Sequence, residues 1–181
     1  GPLQLLVVGG SLGAQALNTV VPLALALMSE FRRPVVIHQS GAKQIDALRE
    51  AYEEADVQAT LTPFIEDTAQ AFAHADVVIA RAGASTVTEL AAIGVAAIYV
   101  PFPHAVDDHQ TTNAKFVVDA GGGWLVPQAE LTAQGLADLL QTLTREKLLE
   151  VAEKAYAIRK TDATEKTVAI CDQLTHLRGV A

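Results

Sequence analysis

Asp76-Val77-Val78-Ile79-Ala80 runs without a break into Arg81-Ala82-Gly83-Ala84-Ser85-Thr86-Val87-Thr88-Glu89-Leu90. The first five residues read as a strand buried on both faces, because an apolar, β-branched run leaves no polar face for water. Gly83 and the small Ala84 leave space beside the backbone, and Ser85 and Thr86 suit a helix start. Val87, Leu90, Ala91 and Gly94 then make the buried face of a helix. Strand, small-residue turn, helix is the unit from which the rest of the chain is built.

Working outward, strands are expected at Leu3–Val8, Pro34–His38, Gln58–Thr62, Asp76–Ala80, Ala96–Val100 and Trp124–Val126. Helical patterns lie near 16–30, 43–55, 66–74, 85–93 and 108–119, and two or three helices fill 132–176. Leu17, Val20, Val21, Ala24, Leu25 and Met28 form one apolar stripe, interrupted by Pro22. That helix therefore either starts late, near Asn18, or is kinked. Alternation of strand and helix gives an α/β fold with a parallel sheet covered on both faces. About six strands suit an open, doubly wound, Rossmann-like sheet. No internal repeat or second domain is visible, and the more charged stretch from Glu146 reads as exposed helices on the domain edge.

The 181 residues carry a formal charge of −8. That balance argues against nonspecific binding to nucleic acid or to an anionic membrane. It does not exclude a phosphorylated ligand, because backbone N–H groups at helix starts bind phosphate without basic residues. No window of about 18 apolar residues exists for a transmembrane helix. The start has no Met and no basic segment, so it is not a signal peptide. Gly1-Pro2 reads as a cleavage remnant, and strand-like sequence from Leu3 as a chain cut at a domain boundary. Cys171 is the only cysteine. It rules out an intrachain disulfide and a cysteine-built metal site, and reads as a small hydrophobe on a helix in a reducing compartment.

In such a sheet, ligands bind outside the carboxyl ends of the strands. Gly9-Gly10-Ser11-Leu12-Gly13-Ala14 follows the first strand. Gly10 and Gly13 permit a tight turn and a close approach to an anion. Ser11 can donate to a phosphate oxygen, with a helix N-terminus behind it. The competing reading is a plain strand-to-helix turn. The spacing G-x-G-x-x-G is absent, and no acidic residue follows the second strand, which ends His38-Gln39-Ser40-Gly41. A nicotinamide cofactor is therefore not expected, nor is any other.

After the fourth strand, Gly83, Ala84, Ser85 and Thr86 form a second candidate anion site. Glu89, one helical turn on, can accept from both hydroxyls of a ribose. The competing reading makes Thr86 and Glu89 a capping box. After the fifth strand, Asp107 or Asp108 is the expected N-cap, and His109 and Gln110 offer donors and acceptors to sugar hydroxyls. His104 and His109 each also read as surface or packing histidines, and no third ligand stands near them for a metal. After the third strand, backbone groups at Phe64 and Ile65 can read a base edge, although both residues also read as core.

GGSLGA at 9–14, HQSG at 38–41, PFIEDTAQAFAHADVVIARAGASTVTEL at 63–90 and VPFPHAVDDHQTTNA at 100–114 together resemble the C-terminal domain of the MurG family. These are the bacterial UDP-N-acetylglucosamine transferases that make lipid II in peptidoglycan synthesis. The resemblance covers nearly the whole chain, in order. It implies the GT-B fold, in which two Rossmann-like domains face each other across a cleft. Residues 1–181 would be the domain that binds the donor UDP-N-acetylglucosamine. By position, Ser11 would contact the diphosphate, and the Ile65 backbone would pair with uracil beside Phe64. The N–H groups of Ala84, Ser85 and Thr86, with the Thr86 hydroxyl, would hold phosphate or sugar oxygens. Glu89 would take the ribose and Gln110 the sugar hydroxyls. His109 stands where some members carry glutamine.

The resemblance also implies inverting transfer without a metal, at the cytoplasmic face of the inner membrane. Lipid I, membrane contact and the catalytic base would belong to an N-terminal domain, so that no catalytic residue lies in this chain. Two other readings stand beside it. One is the donor-binding subunit of a two-component transferase. The other is a non-catalytic nucleotide-sugar module, or an epimerase of similar fold, for which no catalytic carboxylates can be identified.

Overall fold

Strand β4 (Val77–Ala80) is buried at every residue because it pairs in parallel with β1 (Gln4–Val8) on one side and β5 (Ala96–Tyr99) on the other. The computed structural model describes residues 1–10, 14–103 and 108–178. With β2 (Val35–Gln39), β3 (Thr60–Thr62) and β6 (Gly123–Leu125), the strands form one six-stranded sheet ordered β3-β2-β1-β4-β5-β6. All pairings are parallel, with Leu5 opposite Val77 and Val77 opposite Ala96 at the centre. This is the doubly wound order expected from the sequence.

Helices α1 (Gln15–Ala26), α2 (Ile45–Glu54), α3 (Thr68–His74), α4 (Ala84–Ile93) and α5 (His109–Val118) follow the first five strands in turn. Three more, α6 (Ala133–Gln141), α7 (Arg145–Ala157) and α8 (Ala163–Arg178), come after β6. Side chains alternate across the strands into two cores. Leu5, Val7, Ile79 and Ile98 face Leu17, Val21 and Leu25 of α1 and Leu48 of α2. Leu6, Val78 and Tyr99 face Phe72 of α3, Leu90 of α4 and Val117 of α5. Each such side chain contributes roughly 1.5–3 kcal/mol on burial.

Several expectations shift. Helix α1 begins at Gln15 and runs through Pro22, so the late start near Asn18 does not occur. Pro22 itself is buried, as are Leu17, Val21, Ala24 and Leu25. Burying that stripe outweighs the ~3 kcal/mol that an interior proline costs. Strand β6 begins one residue early, at Gly123. A Cβ there would lie 2.7 Å from the Ala97 carbonyl oxygen and 3.0 Å from the Tyr99 ring. Helix α7 is not a mere edge helix, since Leu148 and Ala155 enter the two cores. Cys171 lies on α8, as a helical residue should, but is exposed.

Tyr99 is fully buried, and its hydroxyl has no hydrogen-bond partner among the described residues. An unmatched buried hydroxyl costs roughly 1–3 kcal/mol. Tyr99→Phe is therefore expected to raise stability by about 1 kcal/mol, read as a higher urea midpoint at unchanged slope. An unchanged or lower midpoint contradicts this account of the hydroxyl.

Candidate functional site

The chain winds from β1 outward to β2 on one side and from β4 to β5 on the other, so a crevice opens at the carboxyl ends of β1 and β4. The exit from β1 is fixed by Gln39 at the end of β2. Gly9 N–H donates to the Gln39 carbonyl at 3.0 Å. Gly10 N–H donates to Gln39 Oε1 at 3.1 Å, and Gln39 Nε2 donates back to the Gly10 carbonyl at 3.1 Å and to the Pro63 carbonyl at 2.9 Å. One buried amide thus ties the glycine-rich turn to the loop after β3. Gly10 has φ +79°, a left-handed conformation that favours glycine. A Cβ on Gly9 would come 3.0 Å from the Ala14 nitrogen, so the close approach there requires glycine too. Ser11 and Gly13 lie outside the described residues.

Beneath this turn runs a buried polar chain. Asn18 Nδ2 donates to Gln44 Oε1 at 2.6 Å, which directs Asn18 Oδ1 toward His38 Nε2 at 3.1 Å. His38 is fully buried, and burial pushes its pKa down from 6.5 to about 3. The ring is therefore neutral. With Nε2 donating to Asn18, Nδ1 accepts from the Tyr52 hydroxyl at 3.0 Å. The chain fastens the first turn of α1 to β2 and α2.

Four helices that follow strands of this sheet start without a side-chain cap: α1 after β1, α2 after β2, α4 after β4 and α5 after β5. Helices α3, α6 and α7 carry caps. Asp67 accepts from Gln70 N–H in α3, Thr132 from Gly135 N–H in α6 and Thr144 from Lys147 N–H in α7. The first N–H groups of a helix need partners, and the N-terminus carries partial positive charge. The starts of α1, α4 and α5, behind the adjacent strands β1, β4 and β5, are therefore a candidate anion-binding surface.

The N-cap of α4 is Gly83, three residues before the position a capping box would need. The Thr86–Glu89 box is therefore not formed. Ala84, Ser85 and Thr86 occupy the first turn, and the Glu89 side chain is exposed with no hydrogen bond or ion pair among the described residues. At α5 the N-cap is Asp108, held at φ +50°. Its side chain does not cap, because Oδ1 accepts from the Thr111 hydroxyl at 2.7 Å. His109 and Gln110 begin this helix as expected. Gln110 Oε1, however, accepts from Phe102 N–H at 2.9 Å, which leaves its amide nitrogen as the group for a ligand. Asp107 and His104 lie outside the described residues. Among those described, no group of three His, Cys, Asp or Glu residues could hold a metal.

Phe64 is exposed rather than core, and Ile65 is half-buried against the second core. Both line an open groove of about 630 Å³ under α3. Most of that groove runs toward Gln4 at the amino end of β1, so only its Phe64 end reaches the crevice.

The sequence reading assigned no role to Gln39, Asn113 or Arg81. Asn113 Nδ2 donates to the Ala82 carbonyl at 3.1 Å, tying α5 to the β4 exit. Arg81 donates to the Val100 and Pro101 carbonyls at 3.1 and 3.2 Å and to Gln128 Oε1 at 2.7 Å. Their one sequence signal is a long polar side chain at the end of a buried strand or on an otherwise packed helix.

A six-stranded parallel sheet ordered β3-β2-β1-β4-β5-β6 places the chain in the doubly wound, Rossmann-like α/β class. The chain belongs to the glycosyltransferase family 28 C-terminal domain, whose model matches residues 4–169. It is 66% identical over 174 residues to a UDP-N-acetylglucosamine–N-acetylmuramyl-(pentapeptide) pyrophosphoryl-undecaprenol N-acetylglucosamine transferase of Acidovorax sp. strain JS42, covering 96% of this chain and 44% of that protein. The transferase of the same name from Paracidovorax citrulli is 65% identical over 175 residues, covering 97% and 49%. The crystal structure of Acinetobacter baumannii MurG matches at 44% identity with a TM-score of 0.88, covering 96% of this chain and 50% of that one. The chain therefore spans about half the length of these relatives. The glycosyltransferase VinC shares the fold at 18% identity and a TM-score of 0.61.

The unfolded chain takes up the proton that buried His38 refuses, so stability is expected to rise with pH between about 3 and 6.5. This contribution is complete above the ordinary value and lost as pH falls toward the folded one. Its slope is at most about 1.4 kcal/mol per pH unit. Urea unfolding across that range should give a shallower pH dependence for His38→Gln than for the unaltered chain. Equal slopes rule out His38 as the source.

Proposed function

We propose that this chain is the donor-binding half of a GT-B transferase that moves N-acetylglucosamine from UDP-N-acetylglucosamine to lipid I, giving lipid II. The observation that carries the reading is the set of three uncapped helix starts behind β1, β4 and β5. A diphosphate supplies the acceptors those N–H groups need, and negative charge growing on a departing UDP is stabilised there without a metal. Membership of glycosyltransferase family 28 and the names of the relatives above supply the sugar and the reaction class.

In this reading the Ile65 backbone pairs with uracil beside Phe64, and Glu89 takes the ribose hydroxyls. Gly10, Ser11 and Gly13 approach the diphosphate, as do Gly83, Ala84, Ser85 and Thr86. Gln110 and His109 face the sugar, with Gln110 acting as a donor. The 4-hydroxyl of the lipid-linked muramoyl sugar attacks the anomeric carbon, UDP leaves, and the configuration inverts. Lipid I, the base and the membrane surface engage the part of the protein outside this chain, at the cytoplasmic face of the inner membrane. Among the described residues no helix is long and apolar enough to cross a membrane. The relatives carry the matching segment as about half of one longer chain, which favours this reading over a separate donor-binding subunit.

In calorimetric titration the chain is expected to bind UDP and UDP-N-acetylglucosamine more tightly than ADP or NAD. NAD binding as tight as UDP binding would sink the donor reading. Glu89→Ala should weaken UDP binding by about 1.5–3 kcal/mol, the range for hydrogen bonds to charged groups. Its thermal midpoint should barely move, since Glu89 is exposed and belongs to no capping box. With a radiolabelled donor and a lipid I analogue, the chain alone should give no transfer, because in this reading the acceptor hydroxyl is held against the anomeric carbon by the part of the protein outside the chain. Robust product from the pure chain would place the acceptor site within it.

A further inference from the structure

Arg81 stands two residues before the N-cap of α4, yet its side chain turns away from that helix toward the exit of β5. Nη1 donates to the carbonyls of Val100 and Pro101, and Nη2 to Gln128 Oε1. The guanidinium carbon also lies 5.5 Å from the centre of the Phe102 ring. Every one of these partners is neutral, and no ion pair to Arg81 occurs among the described residues. The group is half-buried, and burial lowers its pKa from the ordinary value. Taking a charge part-way out of water costs energy that packing alone would not justify. What arginine brings is a rigid fork that reaches several carbonyls at once.

The bonds around it close a ring. Arg81 links the β4 exit to the β5 exit at Val100 and Pro101 and stacks on Phe102. Phe102 N–H donates to Gln110 in the first turn of α5. Asn113, one turn further along, returns to the carbonyl of Ala82, next to Arg81. The start of α5 is thereby set against the start of α4 by side-chain bonds from two sides. The Phe64–Ile65 end of the crevice follows β3, which β2 and β1 separate from β4 in the sheet, and no bond of the ring reaches it.

We propose that Arg81 is a positioning residue of the donor site: its fork holds the β5 exit in place so that the N-termini of α4 and α5 act together on one sugar diphosphate. This rests on the donor reading above. It follows that loss of Arg81 weakens the diphosphate–sugar end of the site and spares the uracil end.

The test titrates the chain with UDP-N-acetylglucosamine by calorimetry and with millimolar uridine by NMR. Arg81→Met should lower the affinity for UDP-N-acetylglucosamine roughly tenfold or more, with uridine affinity unchanged. Arg81→Lys keeps the charge but not the fork, so it should fall in the same direction. If Arg81→Met does not fold, Gln128→Ala removes one arm from a half-buried turn and should give a smaller loss of the same selectivity. Affinity restored in full by lysine, an equal loss for both ligands, or no loss at all each overturns the inference. Failure of the unaltered chain to bind UDP-N-acetylglucosamine overturns the donor reading and this inference with it. Binding by the unaltered chain with indifferent variants overturns the inference alone.

Discussion

Because β1 pairs with β4 while the chain leaves them in opposite directions, no helix among the described residues closes over the carboxyl ends of that pair. Everything at the candidate site depends on this one adjacency. It brings the glycine-rich turn after β1 beside the small-residue turn after β4, although 72 residues separate the start of β1 from Asp76 at the foot of β4. It also aligns the starts of α1, α4 and α5 along one edge, where their dipoles add. The strand contacts that hold β1 and β4 together are ordinary apolar burial, and that burial places the polar edge.

The site is then kept in shape by buried polar groups whose partners are all accounted for. Gln39 uses both ends of its amide to join three strand exits. His38 uses both ring nitrogens, one toward α1 and one toward α2. A half-satisfied amide or imidazole at such depth would cost more than the bond it makes, so these residues act as gauges of the correct packing. Tyr99, buried without a partner, stands apart from this pattern and has no evident role at the crevice.

Much of the fold could be read from local chemistry. The six strands and the helices that follow them fall where β-branched runs and apolar stripes put them, because both are set by neighbours in sequence. Pro22 misled for the same reason: the local rule against proline yields to the core packed around it. The strand-to-helix turns were legible as turns, yet the caps were not. Whether Thr86 or Gly83 begins α4 turns on backbone angles that a Ser-Thr-rich segment does not fix. The clamps were invisible because their partners are remote. Gln39 meets Pro63 across 24 residues, Asn113 meets Ala82 across 31 and Arg81 meets Gln128 across 47. No pattern in the sequence announces which long polar side chain will find such a partner.

Leaving the starts of α1, α4 and α5 uncapped has a consequence for the life of the protein. A good cap contributes about 1 kcal/mol, an increment that α3, α6 and α7 have and α1, α4 and α5 lack. An anion that fills those positions supplies it and adds its own binding energy, which stabilises only the folded form. In the donor reading, sugar nucleotide is then a folding ligand as well as a substrate. In that reading, ligand binding would also limit the opening through which proteases reach a chain. The amount of this domain that survives in a cell would follow the supply of the precursor it consumes.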